Sequence, residues 1–222
     1  NHGVRTREIA VTSYAEIDLA PAAVDPAHPA FSNLFVQTQS IAERNTLLAT
    51  RRPRSPQEAV IWLAHVLAVE GETVGALEWE TDRAQFLGRG RGVRAPQAEM
   101  DGRALSNTTG PVLDPILSLR HRVRVRPGKT VRMAFSTLVG SSRNDVVDLA
   151  DKYHDVTTFE RAATQAWTQA QVQLRHLGIG PDEAHLFQNL GSSILYPDRA
   201  LRSSPHVLVR QAEGQGALWD HG

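Results

Sequence analysis

The stretch ILSLRHRVRVRPGKTVRMAFSTLV, Ile116 to Val139, decides the fold. Leu117, Leu119, Val123 and Val125 fall on one parity and Arg120, Arg122 and Arg124 on the other, the period of two of a half-buried strand. His121 is the single polar interruption of the apolar parity. After it Val131, Met133, Phe135 and Val139 alternate with Arg132, Ala134 and Ser136, and Arg126-Pro127-Gly128-Lys129 between the two runs carries turn residues. The expectation is a hairpin with one wet face, whose apolar side needs a second sheet to cover it.

Strands upstream can supply that sheet. From Arg5 to Leu19 one parity holds Ile9, Val11, Ser13, Ala15, Ile17 and Leu19, which predicts one long or bent strand ended by Pro21. Asn33 to Ser40 and Asn45 to Thr50 read as two more, and Arg51-Arg52-Pro53-Arg54-Ser55-Pro56 as a solvated, turn-rich basic loop. Val60 to Glu70 is almost continuously apolar, so periodicity alone does not separate strand from buried helix. The bounding Pro56 and Gly71, with Trp62 and several valines, favour a strand, and Trp62 and His65 are read as core residues. Gly75 to Asp82 completes the set. Gly102 to Pro115 reads as loop.

Downstream the period changes to three and four. Ser141 and Ser142 offer helix caps, with Asp145 three residues beyond Ser142, and a short helix is expected to about Tyr153. Phe159, Ala163, Ala166, Trp167, Ala170, Leu174 and Leu177 form one stripe on a helix of some twenty residues that Gly178 ends. Pro181, Asp182 and Glu183 open another, in which Leu186, Phe187, Leu190 and Ile194 are expected to face a core and which Pro197 stops. A short helix is expected near Val207. The fold class is therefore mainly β, an antiparallel sandwich followed by helices.

Composition excludes several functions. With 222 residues and a net charge of +0, the chain can bury a sizeable core but lacks the basic excess of a nucleic-acid binder. It has no cysteine, which excludes disulfides and cysteinyl zinc sites, and its nine histidines show no ligand spacing. No apolar run approaches the roughly 18 residues of a membrane span. The chain opens Asn1-His2-Gly3 without methionine or secretory leader and reads as cut or processed from a longer protein.

Two constellations carry chemistry. Glu78, Glu80 and Asp82 share one strand face; paired carboxylates perform glycoside hydrolysis, but neighbours on a strand face are usually solvated. Phe86-Leu87-Gly88-Arg89-Gly90-Arg91-Gly92 is the most unusual loop. Val93 stands where a dinucleotide fingerprint needs its third glycine, and no Lys-Ser/Thr follows to make a phosphate loop, so no cofactor is expected. What remains is a permissive backbone with two guanidinium groups that can fork onto phosphate, carboxylate or sugar oxygens. Without a nucleophile elbow or cysteine, the residues alone give no self-contained catalytic constellation.

Seven stretches in collinear order carry a resemblance: EIAVTSYAEIDLAP (Glu8 to Pro21), HPAFSNLFVQT (His28 to Thr38), ATRRPRSP (Ala49 to Pro56), ETDRAQFLGRGR (Glu80 to Arg91), GPVLDPILSLR (Gly110 to Arg120), ADKYHD (Ala150 to Asp155) and AWTQAQVQLRHLGI (Ala166 to Ile179). Together they resemble the glycoside phosphorylases related to cellobiose and chitobiose phosphorylase, formerly glycosyltransferase family 36, and most of all the phosphorylase-like region of bacterial cyclic β-1,2-glucan synthases. The resemblance implies a β-supersandwich (residues 1–140), a helical linker (141–197) and the start of an (α/α)6 catalytic barrel (198–222) that lies mostly beyond this chain.

It further implies a parent enzyme acting on β-glucan oligosaccharide with inorganic phosphate, by transfer or inverting phosphorolysis, at the cytoplasmic face of a bacterial inner membrane. The piece itself would be soluble and non-catalytic, with its own missing barrel, or a second copy in a homodimer, as partner. No catalytic residue and no metal ligand is carried over. Because a sandwich loop reaches the active-site mouth in such enzymes, Arg89, Arg91 and Phe86 become the candidate substrate contacts. The rival expectation is a free-standing carbohydrate-binding or scaffold sandwich.

Overall fold

The computed structural model describes residues 1–20, 28–195 and 204–210. In chain order the strands are β1 (Arg7–Thr12), β2 (Ala15–Glu16), β3 (Val36–Ile41), β4 (Thr46–Arg51), β5 (Trp62–Glu70), β6 (Glu72–Asp82), β7 (Gly110–Pro111), β8 (Pro115–Val125) and β9 (Arg132–Gly140). The helices are α1 (Pro29–Asn33), α2 (Arg83–Leu87), α3 (Gln97–Met100), α4 (Arg143–Tyr153), α5 (Val156–Leu177), α6 (Pro181–Leu195) and α7 (Pro205–Leu208). The chain divides into two compact units, Asn1–Ala163 and Thr164–Gly222.

The first unit is a sandwich of two antiparallel sheets. In the four-stranded sheet β8 is central, with β1 and β2 along one edge and β6 along the other; the five-stranded sheet runs β7-β3-β4-β5-β9. Between them lie Val36, Leu47, Ala49, Leu63 and Leu67 from one sheet and Leu117 and Leu119 from the other, joined by Ile17 and Leu19. Trp79, Met133 and Phe135 pack against this core. Each such aliphatic side chain contributes about 1.5–3 kcal/mol by leaving water.

The continuous hydrophobicity of β5 has its cause in burial on both faces. Leu63 and Leu67 point into the sandwich, while Ala64 and Val66 lie with Leu48 beneath Val146 and Ala150 of α4. The Ser142 side chain caps α4 by accepting from the Asp145 N–H at 3.1 Å, and Ser141 Oγ donates to the Asp145 carboxylate at 2.8 Å. These bonds hold the Asp145 pKa below the usual carboxylate range. Val156, in the first turn of α5, is buried with Ala68 and Ala134.

Several expectations are corrected. The two runs of Ile116 to Val139 are strands, but they do not form a hairpin: β8 pairs with β1, β2 and β6, whereas β9 pairs with β5 in the other sheet. Pro127 fixes its φ near −65° and Gly128 has φ +69°, the pattern of a type II turn, whose twist splays flanking strands instead of pairing them. Asn1 seals the connection, its ammonium donating to Lys129 O and its carbonyl accepting from Gly128 N, both at 2.9 Å. Val139, counted on the apolar face, is exposed, and its neighbour Leu138 packs under α4 instead.

The expected first strand is two, β1 and β2, broken where Ser13 Oγ takes the place of a ladder partner to Leu119. Arg51 is not in a solvated loop: it ends β4, is buried, pairs with Glu58 and donates to Ser32 O. Gly110–Pro111, read as loop, adds β7 to the edge strand β3.

Within the second unit Gly178, at φ +68°, ends α5 as expected: the Ile179 N–H reaches Leu174 O at 2.9 Å and the Gly178 N–H reaches Arg175 O at 3.2 Å. Leu186, Phe187 and Leu190, expected to face a core, are instead more than half exposed on α6. The Ile194 side chain, Pro197 and the expected start of a barrel, apart from residues 204–210, lie outside the described residues.

Candidate functional site

The glycine-arginine loop is anchored at both ends. Asp82 caps α2 by accepting from Ala84 N at 2.8 Å, and α2 drives Phe86 and Leu87 into a cluster with Ala98, Leu105 and Ile116. Phe86 is 2 % exposed, its ring 5.0 Å from that of Tyr14. It is the root of the loop, facing the interior. Gly88 leaves the helix at φ +78°, and a Cβ there would stand 2.7 Å from Gln97 Cβ, so the loop stays close to α3. Gly90, at φ +74°, turns in open space. The Ala95 N–H to Gly92 O bond, at 3.0 Å, closes the second turn before α3.

Arg89 and Arg91 are both exposed, and Arg91 Nη1 lies 3.4 Å from Asp101 Oδ1. Gly90, Arg91, Gly92, Arg94, Ala95, Met100 and Asp101 line a concavity of about 540 Å³. Arg94 and Asp101 were not singled out from sequence. The available signal was the recurrence of arginine at 89, 91 and 94 between turn-forming residues.

Glu78 and Glu80 of β6 are drawn into hydrogen bonds instead of standing free in solvent. Glu80, 2 % exposed, accepts from the N–H groups of Thr81 and Asp82 and from Ser106 Oγ; Glu78 accepts from Leu105 N and Arg120. The segment of residues 103–108 folds over this face and supplies the donors. Arg120 is buried under it as well, donating to Thr12 Oγ1, to the carbonyls of Ala98 and Arg103 and to Glu99. Of the four acidic side chains of β6, Glu72 pairs with Arg124 and Arg126, and Glu78, Glu80 and Asp82 are held by backbone amides, a guanidinium and a helix cap.

A second concavity, about 340 Å³, is lined by Glu16, Asp18, Asn33, Arg83 and Asp114 among others. Most of its charges are paired: Arg83 reaches Glu16 at 3.0 Å and Asp114 at 3.2 Å, Asn33 Nδ2 donates to Asp114 at 3.4 Å, and Asp18 accepts from Ala20 N at 2.8 Å. The Tyr14 hydroxyl donates to Glu16 at 2.6 Å, which holds the Glu16 pKa down. Burial, with the Glu16 bond, pushes the Tyr14 pKa up to about 12. Among the described residues no group of three or more His, Asp or Glu side chains could hold a metal ion, and no helix is long and apolar enough to cross a membrane.

The arginine loop is thus carried on a sandwich of two antiparallel sheets. Residues 1–156 match the family described as Glycosyl hydrolase 94, supersandwich domain, and the chain belongs to that family. It is also 40% identical over 219 residues to the cyclic beta-(1,2)-glucan synthase NdvB of Rhizobium meliloti (strain 1021). That match covers 99% of this chain and 8% of the synthase, so the chain spans less than a tenth of its relative.

Proposed function

We propose that this chain is the non-catalytic sandwich module and helical linker of a longer enzyme that processes β-linked glucan by transfer or inverting phosphorolysis. The observation that carries the reading is the 40% identity running along 99% of the chain yet filling only 8% of a glucan synthase. The commitment of Glu78, Glu80 and Asp82 to backbone and cap hydrogen bonds supports it, because these three carboxylates are not left free to act as acid and nucleophile. In this reading residues 1–140 are the sandwich, 141–197 the linker and 198–222 the start of a catalytic barrel. The parent works at the cytoplasmic face of a bacterial inner membrane, and the module pairs with its barrel or with a second copy.

Within that enzyme the loop Phe86 to Gly92 lies on the substrate side. Phe86 roots it in the core, while Arg89 and Arg91 offer guanidinium groups to phosphate or sugar oxygens. The module is tested with β-1,2-gluco-oligosaccharides and phosphate: the chain alone releases no glucose 1-phosphate above blank. In the parent, Arg89→Ala and Arg91→Ala each weaken phosphorolysis about ten- to a hundredfold, the loss of one charge-assisted bond. Turnover by the isolated chain, or wild-type activity of both parent variants at limiting phosphate and glucan, refutes the reading.

A further inference from the structure

Of the two arginines already discussed Arg91 lines the loop's concavity, and Arg94 joins it there. Over residues 89–101 the chain carries Arg89, Arg91 and Arg94 against Glu99 and Asp101, and Glu99 is already held by the buried Arg120 at 2.8 Å. Arg91 and Arg94 both line the concavity, and Asp101 sits on its wall, 3.4 Å from Arg91. Among the described residues Arg94 has no ion-pair partner. Gly90 and Gly92 line the same wall with no side chain to fill it, and a Cβ at either would meet nothing within 4 Å. The volume, about 540 Å³, exceeds what a single tetrahedral oxyanion needs and leaves room for an attached ring.

An exposed pair such as Arg91 and Asp101 contributes little to stability, since water screens it and two side chains must be ordered to make it. Its geometry has a different effect. A carboxylate laid against one guanidinium of a two-arginine concavity occupies the position an incoming anion would take. Arg forks match the oxygens of phosphate as they match those of carboxylate, and a phosphate dianion carries more charge and a third oxygen for the second fork.

We propose that Arg91 and Arg94 form a binding site for a dianionic phosphate group, free or as a sugar monoester, and that Asp101 is its internal gate. In the empty site Asp101 neutralises Arg91; an arriving phosphate bridges Arg91 and Arg94 and releases Asp101 to solvent. This rests on the reading of the loop as substrate-facing, and it adds to that reading a further guanidinium, Arg94, and a competing carboxylate, Asp101.

The test is a titration of the 222-residue chain, followed through the arginine side-chain Nε–H resonances. Probes are inorganic phosphate, glucose 1-phosphate, a neutral β-1,2-linked glucose disaccharide and vesicles containing phosphatidic acid. Phosphate and glucose 1-phosphate are expected to shift the Arg91 and Arg94 signals saturably. Asp101→Asn is expected to tighten phosphate about two- to fivefold by removing the competitor. Arg94→Ala is expected to weaken it about ten- to a hundredfold. The gain from Asp101→Asn disappears in the Arg91→Ala background, which a general change of surface charge would not produce. The inference is overturned if phosphate gives no saturable shift, if Asp101→Asn leaves the affinity unchanged, or if only the vesicles bind. Binding of the disaccharide without phosphate also overturns it, yet leaves the substrate-facing loop intact; the loop itself falls only through the parent variants.

Discussion

His65 sits inside an apolar interior at 4 % exposure, and both of its ring nitrogens are in use. Nε2 lies 2.8 Å from Ser13 Oγ beside the four-stranded sheet, and Nδ1 lies 3.0 Å from Thr137 Oγ1 of β9, so the imidazole ties one sheet to the other. Its ring stacks on Phe135. Burial lowers its pKa to about 4. The unfolded chain therefore takes up this proton first as pH falls, and the stability from a neutral His65 is whole above pH ~6.5 and drains away toward pH ~4. The full loss is about 3 kcal/mol. Urea melts across that window should show the slope, and His65→Gln, which does not titrate, should flatten it. Equal slopes in the two proteins would mean that His121, whose pKa burial also lowers, carries the acid sensitivity of that window instead.

At the scale of elements the decisive features are the two passages between sheets. Gly71, at φ +139°, carries β5 into β6, and the Arg126 to Val131 segment carries β8 into β9. The two passages touch: a Cβ on Gly71 would lie 2.7 Å from Val131 Cγ2. Gly71→Ala should cost about 2–5 kcal/mol, combining backbone strain with overpacking. Adding Val131→Ala should recover the overpacking share and leave the strain, a pattern that a double-mutant cycle by chemical denaturation reads directly.

The same passages explain what could be read in advance. Strand identity was legible wherever one face met water, because alternation records burial on one side only, as at the Arg122 to Val125 end of β8. Partnership was not: a Pro-Gly turn between two good strands reads as a hairpin until the hand of the turn is known, and residue types alone do not state it. For the candidate site, exposure of Arg89 and Arg91 was legible from glycine spacing. The inward turn of Phe86 was not, because one short helical turn, α2, aims it, and five residues are too few to show a period.

At the scale of the whole molecule, the four buried apolar clusters among the described residues all lie at or before Val156. The piece of residues 1–163 should therefore fold alone and melt in one cooperative transition. On α5 and α6, Trp167, Leu177, Leu186, Phe187 and Leu190 are all more than half exposed, with Trp167 at 67%. Contiguous apolar surface of this kind finds a partner when one is near. Sedimentation should thus show concentration-dependent association of the 222-residue chain and none of the 1–163 piece. A strict monomer over a wide concentration range would mean that these helices cover each other in solution.

The pairing of β1 with β8, in which Arg7 meets Val125, sets a timetable for synthesis. The opening strand leaves the ribosome more than a hundred residues before its neighbour exists. At translation speeds of 5–20 residues per second it waits roughly 5 to 25 seconds with its backbone N–H and C=O groups unpaired. Throughout that interval the nascent chain offers a bare strand to any other nascent chain on the same message. The charges of Arg7 and Glu8, of opposite sign and side by side at its head, are what it carries against being zipped onto the wrong neighbour.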